Sequence, residues 1–104
     1  MMAVNNWEQA EPGVTRKIHA PGEQLMMMEV SFEEGAEGSS HSHPHEQLTY
    51  CLEGQLAFHV DGKEIIVEKG DSLRIPSNAV HGVKALTKSK LLDVFTPLRE
   101  DLLD

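Results

Sequence analysis

The sequence predicts an all-β fold, a small sandwich or barrel. Three observations carry that expectation. Short strand-type runs recur roughly every eight to twelve residues with turn signals between them. Helix-type periodicity is thin. The 104 residues, 39% of them apolar, suffice for one domain with one modest core. Without an internal repeat or linker, residues 1–104 read as a single domain, with the barrel over roughly 14–96 and a short tail over 97–104.

Val14–His19 and Leu25–Phe32 read as strands, with Pro21-Gly22 marking the turn between them. The consecutive methionines Met26, Met27 and Met28 are ambiguous strand formers, so that boundary is soft. Glu33–Ser40 is expected to be a polar loop leading into His41-Ser42-His43-Pro44-His45-Glu46-Gln47. Leu48–Glu53 then runs extended to Gly54, and Gln55–Val60 follows. Asp61-Gly62 is a hairpin signal, because both residues tolerate positive φ. Glu64–Glu68 returns antiparallel, and Lys69-Gly70-Asp71 turns the chain into Ser72–Ile75. Pro76 ends that strand because it has no N–H to give to a ladder. Val80–Ala85 and Leu91–Thr96 complete the set, and only Leu98–Leu103, after Pro97, suits a short helix.

The 17 acidic and 9 basic residues give a net charge of −8, which repels nucleic-acid phosphates and anionic membrane surfaces. Neither is an expected partner. The longest apolar run, Leu25–Met28, falls far short of the roughly 20 residues of a membrane helix. Met1–Trp7 has no basic residue and no apolar stretch, so no export signal is read there and a cytoplasmic location is expected. Cys51 is the single cysteine, which excludes an intramolecular disulfide and a Cys-based zinc knuckle.

Histidines two positions apart on a strand project to the same face, so His41 and His43 can offer nitrogens to one ion. His81 adds a third if the barrel closes to bring it alongside. Taken alone, such residues read as surface histidines in a turn. The surrounding pattern decides otherwise. Gly35, five residues, His41, one residue, His43, three residues, Gln47, six residues and Gly54 resembles the first cupin motif, with Gln47 where Glu is usual. Gly70, five residues, Pro76 and then His81 resembles the second, with Asn78 where Gly is usual and Ala85 where Asn often stands.

The resemblance covers roughly Gly35–Ala85 and implies a small cupin, a jelly-roll β-barrel also described as a double-stranded β-helix. It further implies one divalent metal ion held by His41, His43, Gln47 and His81. Glu46, one residue off the motif count, is the rival to Gln47. Three imidazoles and an amide are all neutral, so the ion would keep its full charge as a Lewis acid, which counts against oxygen chemistry. The donors suit nickel, iron, zinc, cobalt or manganese. His45 reads as a solvated turn residue or as support for a ligand. His19 and His59 fit no pattern, and Cys51 reads as a small core residue.

An Asp within the apolar run Leu91-Leu92-Asp93-Val94-Phe95 is the remaining informative feature, since alternation puts Asp93 and Phe95 on one face. Facing inward, Asp93 would have a raised pKa and suit general acid–base work; facing outward, it is a solvated edge residue. Arg99 reads either as a carboxylate clamp over the barrel mouth or as a surface residue paired with Glu100 or Asp101. With Gly13-Val14-Thr15-Arg16, Leu25–Met28 and the ending Thr96–Leu103, the chain more narrowly resembles the KdgF family of pectin-degradation cupins. That resemblance implies conversion of 4,5-unsaturated uronate monosaccharides, from pectin or alginate, to linear 5-keto-4-deoxyuronate. It implies Asp93, Phe95 and Arg99 as the catalytic residues.

Two rivals stand beside this reading: a non-enzymatic metal cupin that binds a small sugar acid, and a cupin dioxygenase. Fold alone does not separate them. Cupins are often dimers, and an N-terminal strand with Trp7 offers an edge to a partner's sheet, so a homodimer is a further expectation.

Overall fold

The structure is a computed structural model that describes residues 4–103. Its elements in chain order are β1 (Trp7–Glu11), β2 (Val14–Ile18), β3 (Met26–Phe32), β4 (Glu37–His41), β5 (Glu46–Glu53), β6 (Gln55–Val60), β7 (Lys63–Glu68), β8 (Ser72–Ile75), β9 (His81–Ala85), β10 (Ser89–Thr96) and α1 (Glu100–Leu103). Six strands form one antiparallel sheet in the order β1-β2-β3-β10-β5-β8, and four form a second in the order β4-β9-β6-β7. Two facing antiparallel sheets with the core between them are the jelly-roll arrangement.

Period-two alternation fills the space between the sheets. In β3 the buried positions are Met26, Met28, Val30 and Phe32; in β10 they are Ser89, Leu91, Asp93 and Phe95. Leu56, Phe58 and Val67 answer from the second sheet. β5 is inverted with respect to hydrophobicity: Gln47, Thr49 and Cys51 point inward, while Leu48 and Tyr50 are exposed. That inversion places a polar patch in the core wall, at the ends of β5 and β10 where Gln47 pairs with Phe95 and Thr49 with Asp93.

Turn chemistry matches the sequence closely. Asp61 and Gly62 have φ of 48° and 83°, and they join β6 to β7. Asn78, where the second motif usually has glycine, has φ of 66°, a conformation Asn tolerates better than most side chains. Gly54 combines φ of 84° with a backbone approach that leaves no room for a Cβ against Lys88 and Ser89.

Four expectations need correction. Part of the expected loop 33–40 is strand, since Glu37–His41 pairs with β9 through Glu37 with Lys84, Gly38 with Val83 and His41 with His81. This edge strand is Ser/Gly-rich and mostly exposed, so it shows no apolar alternation. His41 and His43 do not share a strand, because His41 ends β4 and His43 lies in the following loop, its carbonyl accepting the Asn78 N–H at 2.8 Å. The sheet begins at Trp7 rather than Val14: β1 pairs with β2 of the same chain, occupies the sheet edge and leaves Trp7 exposed. Helix α1 starts at Glu100, two residues later than expected.

Candidate metal centre and cavity

The facing pair His41 and His81 and the loop residue His43 bring three imidazoles together at one end of the inter-sheet space. Ring centroids are 4.4 Å apart for His41 and His81, 4.9 Å for His43 and His81, and 5.4 Å for His41 and His43. A single backbone device sets all three rings. His41 Nδ1 is 2.9 Å from the Ser39 carbonyl, His43 Nδ1 is 3.1 Å from that of His45, and His81 Nδ1 is 2.9 Å from that of Ala79. A carbonyl only accepts, so each Nδ1 carries the proton and each Nε2 keeps its lone pair.

Those lone pairs lack protein donors. His81 Nε2 is buried with no hydrogen-bond partner. His43 Nε2 lies 3.2 Å from Gln47 Oε1, which sets two acceptors against each other. A cation satisfies such an arrangement where a protein donor does not. One donor atom from each of His41, His43 and His81 falls within 4.8 Å of the others, so the cluster can hold a metal ion. Burial, then the positive charge of Arg99, then His81, push the His43 pKa below its ordinary value. Burial is also the leading cause for His81, whose pKa is lowered as well. Both rings are therefore neutral at pH 7 and ready to donate to an ion without first losing a proton.

Gln47 continues the site into the first sheet. It is 5% exposed, and its amide N–H donates to Thr49 Oγ1 at 2.9 Å. Thr49 in turn donates to Asp93 Oδ1 at 2.8 Å. This directional chain turns the Gln47 oxygen toward the histidines. It also gives Asp93, 6% exposed, two hydrogen-bonding neighbours that favour its charged form. Burial outweighs them and raises the Asp93 pKa from 3.8 to about 6. Glu46, by contrast, is exposed and paired with Arg74 at 2.9 Å. It points away from the cluster.

A cavity of about 170 Å³ opens beside these groups, lined by His41, Gln47, His81, Asp93, Phe95 and Arg99 among others. Arg99 sits with its guanidinium 5.2 Å from the centroid of the Phe95 ring. It donates to Asp101 at 2.9 Å, so the expected surface pairing is present, yet its side chain is only 13% exposed. Its Nε is buried without an acceptor. Arg99 thus joins the histidine cluster in the cavity wall, with one buried guanidinium donor left without an acceptor.

The structure gathers all the residues singled out from the sequence: His41, His43, Gln47, His81, Asp93, Phe95 and Arg99. It leaves out His19, which pairs with Glu29 at 2.8 Å, and Cys51, which is fully buried in the core. Thr49 was missed. The signal for it lies in β5 itself: once Gln47 faces inward, alternation carries Thr49 to the same face. No helix among the described residues is long and apolar enough to cross a membrane.

Two sheets with a three-histidine cluster in their shared end are the features of a cupin, and comparison with known proteins agrees. Residues 28–95 match the cupin domain family. The chain is 37% identical over 99 residues to the pectin degradation protein KdgF of Dickeya dadantii (strain 3937), covering 93% of this chain and 90% of that protein. The solved structure of KdgF from Halomonas sp. superimposes with a TM-score of 0.88 at 35% identity, covering 93% of this chain and 90% of the other. A shorter match, 39% identity over 54 residues, relates 51% of this chain to 16% of quercetin 2,3-dioxygenase from Bacillus subtilis (strain 168). The chain belongs to the cupin family and, within it, to the KdgF family.

Proposed function

We propose that this protein converts 4,5-unsaturated uronate monosaccharides to linear 5-keto-4-deoxyuronate. His41, His43, His81 and Gln47 hold one divalent ion, of nickel, iron, zinc, cobalt or manganese. The observation that carries the reading is the buried Asp93 in a cavity shared with the histidine cluster and with Arg99. The likeness to KdgF, a pectin degradation protein, supports it.

When bound, the ion acts as a Lewis acid that stabilises negative charge developing on substrate oxygen. The remaining work falls to side chains. Arg99, which lines the cavity, orients the substrate by its carboxylate. Phe95 supports the guanidinium from below and forms the apolar wall against the ring.

Asp93 accepts the proton of the anomeric hydroxyl. The C1–O5 bond breaks as the C1 aldehyde forms, and the electron pair leaves on O5 as the C5 enolate. Asp93 then returns the proton to C4, which gives the C5 ketone. Atoms and charge balance with no outside oxidant or reductant. A carboxylate of pKa about 6 is mostly ionised at neutral pH, and its conjugate acid is still strong enough to give the proton back. Thr49 and Gln47 hold the carboxylate in place between the two transfers.

The test follows loss of the conjugated double-bond absorbance when purified, metal-loaded protein meets unsaturated galacturonate. Acceleration over the spontaneous reaction, abolished in Asp93→Asn with the metal retained, is the expected result. Saturable uronate binding without turnover would leave a binding protein instead, and oxygen consumption would point to a dioxygenase.

A further inference from the structure

The β4–β5 loop and the tail after β10 are distant in sequence, and a residue outside the proposed ligand and catalytic sets joins them. The main-chain carbonyl of His45 takes the Nδ1–H of His43 at 3.1 Å. The His45 imidazole reaches the other way: its Nε2 is 3.1 Å from the Leu98 carbonyl, which only accepts, so Nε2 carries the proton. Leu98 immediately precedes Arg99. The Arg99 N–H is itself directed at Met26 Sδ at 3.1 Å, so the backbone before the guanidinium-bearing residue is held from both sides. The other ring nitrogen of His45, Nδ1, is buried without a partner, and the ring's hydrogen bonding is thus spent on Leu98.

We propose that His45 is a positioning residue that ties the loop carrying His43 to the segment carrying Arg99, fixing the anion-binding guanidinium relative to the histidine cluster. This inference rests on the reading of Arg99 as the group that binds the uronate. The two links differ in what a substitution can remove. The carbonyl link to His43 survives any replacement at position 45, whereas the imidazole link to Leu98 does not. Metal affinity and uronate affinity should therefore separate.

His45→Phe keeps an aromatic ring and deletes the donor; His45→Gln offers an amide N–H at similar reach. In nickel-loaded protein, the affinity for saturated galacturonate, a non-reacting anion, should fall about tenfold in His45→Phe and return to within about threefold in His45→Gln. Nickel affinity from chelator competition should stay within about twofold in both, because the bond from His43 Nδ1–H to the main-chain carbonyl of residue 45 is intact. In an Arg99→Met background, His45→Phe should cost no further galacturonate affinity, since the two act as one unit. An additive loss there, or a loss of nickel affinity in His45→Phe equal to its loss of galacturonate affinity, overturns the proposal.

A ligand-free readout keeps this separate from the functional reading. Amide exchange over residues 98–102 should quicken in His45→Phe and not in β10. Unchanged exchange refutes the clamp whatever the protein binds. Quickened exchange in a protein whose wild type binds no galacturonate upholds the clamp and refutes the uronate reading instead.

Discussion

Replacing Asp93 by Asn should make the metal-free protein more stable at alkaline pH while removing the proposed activity. The carboxyl is fully buried by the β3, β5 and β10 walls, and burial raises its pKa from 3.8 to about 6. The shift of 6 − 3.8 corresponds to about 3 kcal/mol at roughly 1.4 kcal/mol per unit. The sign follows from which state holds the proton more tightly. Below pH 3.8 the group is protonated folded and unfolded, and burial carries no charge penalty. As pH rises through 3.8 the unfolded chain ionises freely while the folded one resists, so the contribution to stability falls until about pH 6 and is constant above it.

Asn has the shape of the protonated acid and does not titrate, so its advantage over Asp should grow with pH. About half of the 3 kcal/mol should develop between pH 5 and pH 8, the remainder lying below pH 5. For a chain of this length the full gain corresponds to a Tm increase on the order of 10 °C. The assay is thermal and urea unfolding of chelator-treated wild type and Asp93→Asn across pH 5 to 8. A variant less stable than wild type at pH 8, or a difference that does not vary with pH, would refute the placement of an ionisable Asp93 in the core wall. A stability gain joined to a loss of turnover is the expected signature of a site that holds strain for function.

Other expectations follow from the same geometry. Gln47→Glu would put a carboxylate in the proposed ligand set and a second acid beside Asp93; calorimetry should show divalent-ion affinity at least about tenfold tighter, and steady-state kinetics a kcat at least about tenfold lower. Because His43 and His81 are neutral at pH 7, nickel binding should release few protons, and its apparent enthalpy should be nearly independent of the buffer's ionisation heat. Gly54→Ala forces a Cβ against Lys88 and Ser89 at positive φ, and urea unfolding should show a loss of about 2–4 kcal/mol with the fold unchanged.

Much of this site was legible in the sequence because its residues sit in a spaced motif whose glycines have backbone work to do. Gly54 and the Asp61-Gly62 pair adopt positive φ, and Asn78 replaces a motif glycine at a position where φ is also positive. Such residues report local conformation, and local conformation is what a sequence encodes most directly. β4 was not legible for the complementary reason. An exposed edge strand of Gly and Ser buries almost nothing, and its pairing with β9 is decided by the partner strand rather than by its own side chains. The same limit hid the separate placement of His41 and His43, whose convergence comes from a strand end and a loop.

Thr49 is the more instructive omission. Hydrophobicity alone argues that Leu48 and Tyr50 face the core and that Gln47 and Thr49 face water, and the structure has the reverse. The inversion is stable because each inward polar group is spent on the next: Gln47 on Thr49, and Thr49 on Asp93 across the β5–β10 pair. Reading an Asp in an apolar strand as inward therefore requires an inward partner on the neighbouring strand, and the register supplies it directly opposite. Thr49→Val tests that dependence, since it keeps the volume and removes both hydrogen bonds. Asp93 loses a bond that favours its charged form, so its pKa should rise further from about 6 and the acid limb of the pH–kcat profile should move to higher pH. A profile that does not move would show that Thr49 only fills space and that the amide of Gln47 is oriented by something else.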